Sequence, residues 1–158
     1  FINTLEIELR KAKKSANKKG KKLAYRFNGT SDRFDELKHL LDMKDQPFDQ
    51  AYDYTKDFKR VLDYQGYKGY NLTFSYDGLN KLEAKFLLKN KIANVSVVMN
   101  TKKDQELPKT YNLNGVEYPV LDGDKHDLRF TENKGYIIGL RAKGKAIKNN
   151  GTFVQPTN

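Results

Sequence analysis

The residues best suited to chemistry stand in four short polar blocks, each close to the end of an apolar run. In the first block, a glycine and hydroxyl side chains precede a helical pattern, and backbone N–H groups at a helix N-terminus attract anions. The block lacks the second glycine and the Lys-Ser/Thr pair of a phosphate loop, and helix capping by Ser31 or Asp32 is the alternative explanation. We predict that its ligand-binding residues are Arg26, Asn28, Thr30 and Ser31, with Asp32 as a catalytic candidate.

The second block follows the next apolar run and combines an aromatic ring, a carboxylate and a cation. Tyr54 can stack on a base and Lys56 can neutralise a phosphate, so both are predicted ligand-binding residues. Asp53 is a candidate acid–base or orienting group. A strand followed by a capping Thr55 explains the same residues without a ligand, and both interpretations stay open.

In the third block, two carboxylates and an imidazole alternate after a short apolar run. In extended backbone, Asp122, Asp124 and His126 project from one face, and this donor set suits a divalent cation. His126 is also the better acid–base candidate of the two histidines, because His39 lies within a helical pattern. The alternative is an acidic turn in which His126 pairs with a neighbour.

The fourth block follows the last apolar run and places Arg141 and Lys143 beside a glycine. Guanidinium and ammonium groups near a glycine suit a phosphate, so we predict that both residues bind one. The ordinary basic end of a domain explains the same residues equally well.

The elements that must position these blocks follow from an alternation of apolar runs with helical patterns. Strands are predicted at about 23–27, 50–54, 70–75 and 92–98, separated by helices that begin near polar capping residues. Such repeats indicate an α/β fold in which these strands lie parallel and adjacent. Because the carboxyl ends of parallel strands share one edge, we expect six side chains to surround a single cleft there: Asn28, Asp32, Tyr54, Asp124, His126 and Arg141.

Chain length limits the architecture. A chain of 158 residues is too short for an eight-unit barrel of typically ~250 residues. We therefore predict a partial (β/α) barrel or an open parallel sheet with added C-terminal strands. One α/β domain is expected over 1–148, followed by a polar, frayed C-terminal tail at 149–158. Further predicted elements are a first helix at 1–17, a hairpin at 112–115 and strands at 118–121 and 136–140.

Thirty Lys and Arg residues against twenty Asp and Glu residues give the chain a formal net charge of +10. This surplus favours polyanionic partners, above all nucleic acid, although a lysine-rich solubilising surface is the simpler explanation. The chain has no Cys, which excludes a disulfide framework and thiolate metal sites. No apolar run approaches the ~18 residues of a membrane-spanning helix, and no leader pattern is present. We expect a cytoplasmic protein without membrane contact.

The four blocks, taken together and in order, resemble the phage and plasmid gene product eighty-eight family. The matching segments are 26–32 (RFNGTSD), 52–56 (YDYTK), 122–130 (DGDKHDLRF) and 139–145 (GLRAKGK), so the resemblance covers nearly the whole chain. It implies a mobile-element origin, and therefore expression in a bacterial host cell, while it leaves the activity open.

The same resemblance implies a distant relation to radical S-adenosylmethionine enzymes, for which a partial barrel is the expected fold. Family members tend to carry a group of Cys residues ahead of the first block, whereas this chain has no Cys and begins at Phe1. An upstream segment missing from this chain and a member without one are both open explanations. Without thiolates, this chain alone cannot hold an iron–sulfur cluster, and its cofactor stays unknown.

From these observations we expect a phage- or plasmid-encoded protein that binds a phosphate-bearing ligand, a nucleotide or nucleic acid, at the carboxyl ends of its strands. Whether it also processes that ligand as an enzyme is open, as is its oligomeric state. The alternative is a non-catalytic basic protein that binds DNA, RNA or an acidic host factor. A pocket lined by all of the following residues would favour the first function: Arg26, Arg141 and Lys143 with Asp53 and His126. A continuous flat patch of Lys11 to Lys22 with the C-terminal tail would favour the second.

Overall fold

The computed structural model describes residues 1–29, 31–148 and 151–157, which form α-helices on a single eight-stranded sheet. The helices are α1 (Ile2–Lys18), α2 (Asp35–Leu41), α3 (Phe58–Asp63) and α4 (Lys81–Lys89). The strands are β1 (Ala24–Arg26), β2 (Gln50–Thr55), β3 (Tyr70–Ser75), β4 (Asn94–Met99), β5 (Thr110–Leu113), β6 (Val116–Asp122), β7 (Ile137–Arg141) and β8 (Val154–Gln155). Two short 3-10 helices cover Arg129–Thr131 and Gly144–Lys148.

The sheet is open and mostly parallel, with the order β1-β2-β3-β4-β7-β6-β5 and β8 beside β4. The four predicted strands β1 to β4 are parallel and adjacent, which confirms the α/β prediction. Of the two architectures considered, the open sheet is correct, since β1 and β5 lie at opposite ends of the order and the sheet does not close into a barrel. The carboxyl ends of the parallel strands therefore share one edge.

One face of the sheet carries the hydrophobic core. Each crossover from β1 to β4 advances to the next strand in the same direction, so α2, α3 and α4 lie on the same face. Their buried side chains Leu37, Leu40 and Leu87 join the strand residues Phe74 and Val95 in one apolar cluster. A fully buried Leu contributes about 1.5–3 kcal/mol to folding, and this cluster holds the strand ends in place.

The opposite face of the sheet is much more polar. Side chains alternate between faces along a strand, and the register pairs on this face join Arg26 with Tyr52, Tyr54 with Thr73 and Ser75 with Ser96. The segment between β6 and β7 covers part of this face, with the Phe130 ring 5.6 Å from that of Tyr52. The remainder of the polar face stays open at the carboxyl edge.

Two C-terminal features differ in how well the sequence predicted them. The hairpin is confirmed: β5 and β6 pair antiparallel around Asn114 and Gly115, which both have the positive φ of a tight hairpin turn. The frayed tail is wrong for 151–157, because Val154 pairs with Val98 and Gln155 with Met99. Strand β8 occupies the place beside β4 that β3 leaves when it ends at Ser75, and the carbonyl of Gln155 accepts from the N–H of Asn100.

The predicted helix caps are also wrong. Helix α2 begins after Phe34 without a side-chain cap, so neither Ser31 nor Asp32 caps it. Helix α3 is capped by Asp57, whose carboxylate accepts from the N–H of Arg60, two residues beyond the predicted Thr55. Capping therefore does not account for the polar residues that follow β1.

Candidate functional site

A cleft of about 490 Å³ opens at the carboxyl edge, on the polar face of the sheet. Residues at or just after the carboxyl ends of β1, β2, β3, β6 and β7 line it, together with residues of β4 and the segment that enters β8. The lining combines three aromatic rings, three groups that are or can become cationic, two hydroxyls and two carboxylates: Tyr54, Tyr76, Phe153, Arg26, Lys143, His126, Ser75, Ser96, Asp124 and Asp127.

The ends of β1 and β2 meet the third block through Asp127. The Arg26 guanidinium lies 3.0 Å from one Asp127 oxygen and 4.6 Å from the centre of the Tyr54 ring. The Tyr54 hydroxyl donates to the other Asp127 oxygen at 3.0 Å. Burial, reinforced by the Asp127 charge, raises the pKa of Tyr54, so its hydroxyl remains a neutral donor.

Sequence reasoning missed the role of Asp127. The predicted site used residues 122, 124 and 126, which project from one face of an extended segment. Asp127 was left out because it would project from the opposite face. Its carboxylate nevertheless joins a cation and a phenol from two neighbouring strands. The available signal was a third carboxylate within six residues, close to a glycine, after a strand.

The predicted metal site at Asp122, Asp124 and His126 is not assembled. Arg141 Nη1 lies 3.1 Å from Asp122 and 3.0 Å from Asp124, and Lys143 Nζ lies 2.7 Å from the other Asp124 oxygen. Although burial alone would raise the pKa of both carboxyls, these basic partners and backbone N–H groups lower it. Within the described ranges, no three His, Asp or Glu residues form a group that could hold a metal ion.

His126 lies at the cleft wall with its side chain half exposed. Its Nδ1 accepts from the N–H of Leu128 at 3.2 Å, and its Nε2 lies 3.8 Å from a Glu132 oxygen. The fully buried Arg129 guanidinium donates to the carbonyl of His126 and pairs with Glu132 at 3.0 Å. His126 is thus held by its neighbours and remains accessible from the cleft.

Asn28 of the first block and Asp53 of the second belong to a separate, buried polar cluster on the helix-covered face. Asp53 is 1% exposed and accepts from Asn28 Nδ2 at 2.5 Å and from the N–H of Tyr54 at 3.0 Å. The buried Arg60 lies 3.7 Å from Asp53 and 3.0 Å from Asp32. Burial raises the pKa of Asp53 to about 6, although these partners act to lower it.

Most other predicted ligand residues hold the loop after β1 and β2 in place. The Ser31 hydroxyl donates to Asn28 Oδ1, and Asp32 accepts from the Thr55 hydroxyl and from the N–H of Lys56. The Lys56 ammonium lies 3.4 Å from Asp77. Thr30, which we predicted to bind the ligand, lies outside the described residues.

The six side chains expected around one cleft are therefore divided. Tyr54, Asp124 and His126 line the cleft, together with the predicted Arg26 and Lys143. Asn28 belongs to the buried cluster, and the exposed Asp32 lies at its edge beside Arg60. Arg141 lies behind Asp124 and lines a neighbouring cavity. The shared sheet edge was correct, but the two faces of that edge separate the groups.

Comparison with known families confirms the resemblance that the four blocks indicated. The family model described as Gene product 88 matches residues 1–156. The chain belongs to the Gene product 88 family. Neither a curated protein nor a solved structure matches the sequence, and the distant relation to radical S-adenosylmethionine enzymes stays a prediction. Among the helices described for this family member, none is long and apolar enough to cross a membrane.

Proposed function

We propose that this Gene product 88 protein binds a nucleotide-like, phosphate-bearing ligand in the cleft at the carboxyl edge of its sheet. The observation that carries the proposal is the composition of one cleft, which combines aromatic rings, hydroxyls and basic groups from five or more strand ends. Aromatic faces stack on bases, hydroxyls bind sugar or base edges, and basic groups bind phosphate. The volume of about 490 Å³ lies within the usual ~300–1,000 Å³ of a small-molecule site.

Arg26 and Lys143 in the cleft already pair with carboxylates. Because these pairs are exposed to solvent, a phosphate could replace the carboxylate. Lys143 pairs with Asp124, but its side chain is 74% exposed. Arg26 pairs with Asp127 while both side chains remain partly exposed. Exposed ion pairs contribute only about 0–1 kcal/mol, so an incoming phosphate loses little when it draws Lys143 or Arg26 away from its carboxylate.

A second function is favoured by a different observation. Residues 11–22 at the end of α1 present exposed lysines that form no ion pair among the described residues: Lys11, Lys14, Lys18, Lys19, Lys21 and Lys22. This basic surface would bind nucleic acid or an acidic protein through charge alone. It lies near the amino end of β1, whereas the C-terminal segment lies beside the carboxyl end of β4. The single continuous patch expected for this function is therefore not formed.

One titration experiment separates the two functions. Calorimetry at low salt with nucleoside monophosphates should detect binding that weakens by about tenfold or more in Arg26→Met/Lys143→Met, because two phosphate-binding charges are lost. Asp127→Asn should strengthen it, because it removes a competing negative charge and retains an acceptor for Tyr54. The control Lys11→Ala/Lys14→Ala/Lys18→Ala should bind like the wild type. Loss of binding in the control alone would establish the second function, and no binding to the wild type would refute the first.

A further inference from the structure

A second cavity, of about 720 Å³, lies directly beside the cleft at the same edge of the sheet. We propose that a single-stranded nucleic acid extends from the cleft into this cavity, with one base in the cleft and the next phosphate at Lys102 and Lys103. This inference rests on the proposed function and specifies its ligand as an oligonucleotide strand.

The two cavities form neighbouring parts of one surface, because Asp124 and Lys143 line both. These two residues form an ion pair with 2.7 Å between Lys143 Nζ and Asp124 Oδ1. The combined volume of the two cavities exceeds the ~300–1,000 Å³ of a typical small-molecule site. An extended ligand that passes over Lys143 uses both spaces, whereas a mononucleotide fills only one.

The available positive charge lies on the side of the second cavity. Lys102 and Lys103 lie in the loop that follows β4, are exposed, and form no ion pair within 1–29, 31–148 and 151–157. The cations of the cleft are matched by carboxylates, as is Arg141 by Asp122. A ligand with a single phosphate bound in the cleft would not contact Lys102 or Lys103. A second phosphate along a strand gives them a partner.

The wall of the second cavity also offers surface for the sugar or base of a strand. Thr101, which is 7% exposed, contributes to this wall. Ala142 and the exposed Ile147 add an apolar surface that suits a sugar or base.

The cleft requires that the bound base be unpaired. Its rings, Tyr54, Tyr76 and Phe153, can contact a base face only when that face is not stacked within a duplex. A duplex of the same sequence should therefore bind through backbone charge alone and more weakly. Single strands of DNA and of RNA share the chemistry that the two cavities recognise.

The test is fluorescence anisotropy at several salt concentrations with labelled thymidine and uridine oligonucleotides of two to six residues, competed by the monophosphates. We expect the tetramer to bind about tenfold or more tightly than the monophosphate, because it adds phosphate contacts. Lys102→Ala/Lys103→Ala should remove that gain and leave monophosphate binding unchanged. It should also reduce the slope of log K against log salt concentration by about one to two, because two phosphate contacts are lost. The matched control is Lys21→Ala/Lys22→Ala, an adjacent exposed pair near the amino end of β1.

The outcomes distinguish this inference from the function on which it rests. Monophosphate binding in the cleft without any gain from length would refute the strand and keep the nucleotide site. Equal losses in the two double-lysine variants would also refute it, because the gain would then come from general charge. Tighter binding of the duplex than of the single strand would have the same consequence. Absence of any nucleotide binding would refute both proposals.

Discussion

Asp53 and Tyr54 are neighbours in β2, yet they belong to two different polar regions. Asp53 faces the helices and joins the buried cluster with Asn28 and Arg60. Tyr54 faces the open side and joins the cleft through Asp127. Because side chains alternate along a strand, one position separates a buried carboxylate from a phenol that a ligand can reach.

The difference between the two regions is one of solvent access. In the buried cluster, Asn28, Asp53 and Arg60 are all less than 5% exposed. Asn28 donates to Asp53, and the Arg60 guanidinium lies within ion-pair distance of Asp53 and Asp32. In the cleft, the side chains of Arg26 and Asp127 are 33% and 46% exposed and can exchange partners. Buried polar groups of the first kind fix the loop that follows β1, while exposed pairs of the second kind are free to meet a ligand.

Removing the buried cation should have the largest effect on stability. Arg60→Met leaves Asp53 and Asp32 without the guanidinium that lies between them. We expect a loss of about 3–5 kcal/mol in the free energy of unfolding, measured by urea denaturation at pH 7. The control Lys59→Met changes the preceding, 81% exposed residue of α3 and should cost less than about 1 kcal/mol. Equal stabilities of the two variants would show that the cluster does not hold the fold.

The raised pKa of Asp53 predicts the next largest effect, a dependence of stability on pH. A carboxyl with a pKa of about 6 in the folded protein and ~3.9 in the unfolded chain binds its proton more tightly when folded. Stability from this group is therefore lost as the pH rises from about 4 to 6. The free energy of unfolding of the wild type, minus that of Asp53→Asn, should fall by about 2–3 kcal/mol over this range.

Asp77→Asn provides a control of opposite sign. Burial would raise the pKa of Asp77, but the N–H groups of Leu79 and Asn80 and the Lys56 ammonium lower it overall. Its contribution to stability is therefore lost as the pH falls, not as it rises. Parallel pH profiles for the Asp53 and Asp77 variants would contradict the assignment of Asp53 as a carboxyl that is protonated more readily in the folded state.

The sequence predicted the fold better than the site. The reason is that side chains alternate between the two faces of each strand. The apolar runs and helical patterns between 23 and 98 were enough to identify four parallel strands, because burial imposes those patterns. The sheet edge that gathers Asn28 and Tyr54 followed from the topology. Which face each side chain takes depends on strand boundaries to within one residue, and neither spacing nor composition supplied that precision.

Partner choice was the second limit on the sequence prediction. Asp122, Asp124 and His126 do have metal-ligand types, but Arg141 and Lys143, separated from them by fifteen residues or more, neutralise both carboxylates. No local pattern reveals such a pairing between β6 and β7. The role of Asp127 was missed for the same reason, since its partners Arg26 and Tyr54 lie on β1 and β2.

The smallest predicted effects come from a matched pair of hydroxyl deletions in adjacent residues of β2. The buried Thr55 hydroxyl donates to Asp32 and accepts from the N–H of Asp57, both at 2.9 Å. Thr55→Val should therefore cost about 1–2 kcal/mol of stability and leave nucleotide affinity unchanged. Tyr54→Phe removes a donor to the half-exposed Asp127, which water can replace, so it should cost less than about 1 kcal/mol.

The ranking of the same two variants should reverse when nucleotide binding is measured. Tyr54→Phe retains the ring that stacks on a base but releases Asp127, which then pairs more fully with Arg26 and competes with phosphate. We expect a weakening of about two- to tenfold in calorimetry, because the Asp127 released from a hydrogen bond of about 0.5–1.5 kcal/mol competes more strongly for Arg26. If Thr55→Val weakened binding as much as Tyr54→Phe, the two faces of β2 would act as one region. The separation of a buried cluster from an open cleft would then be wrong.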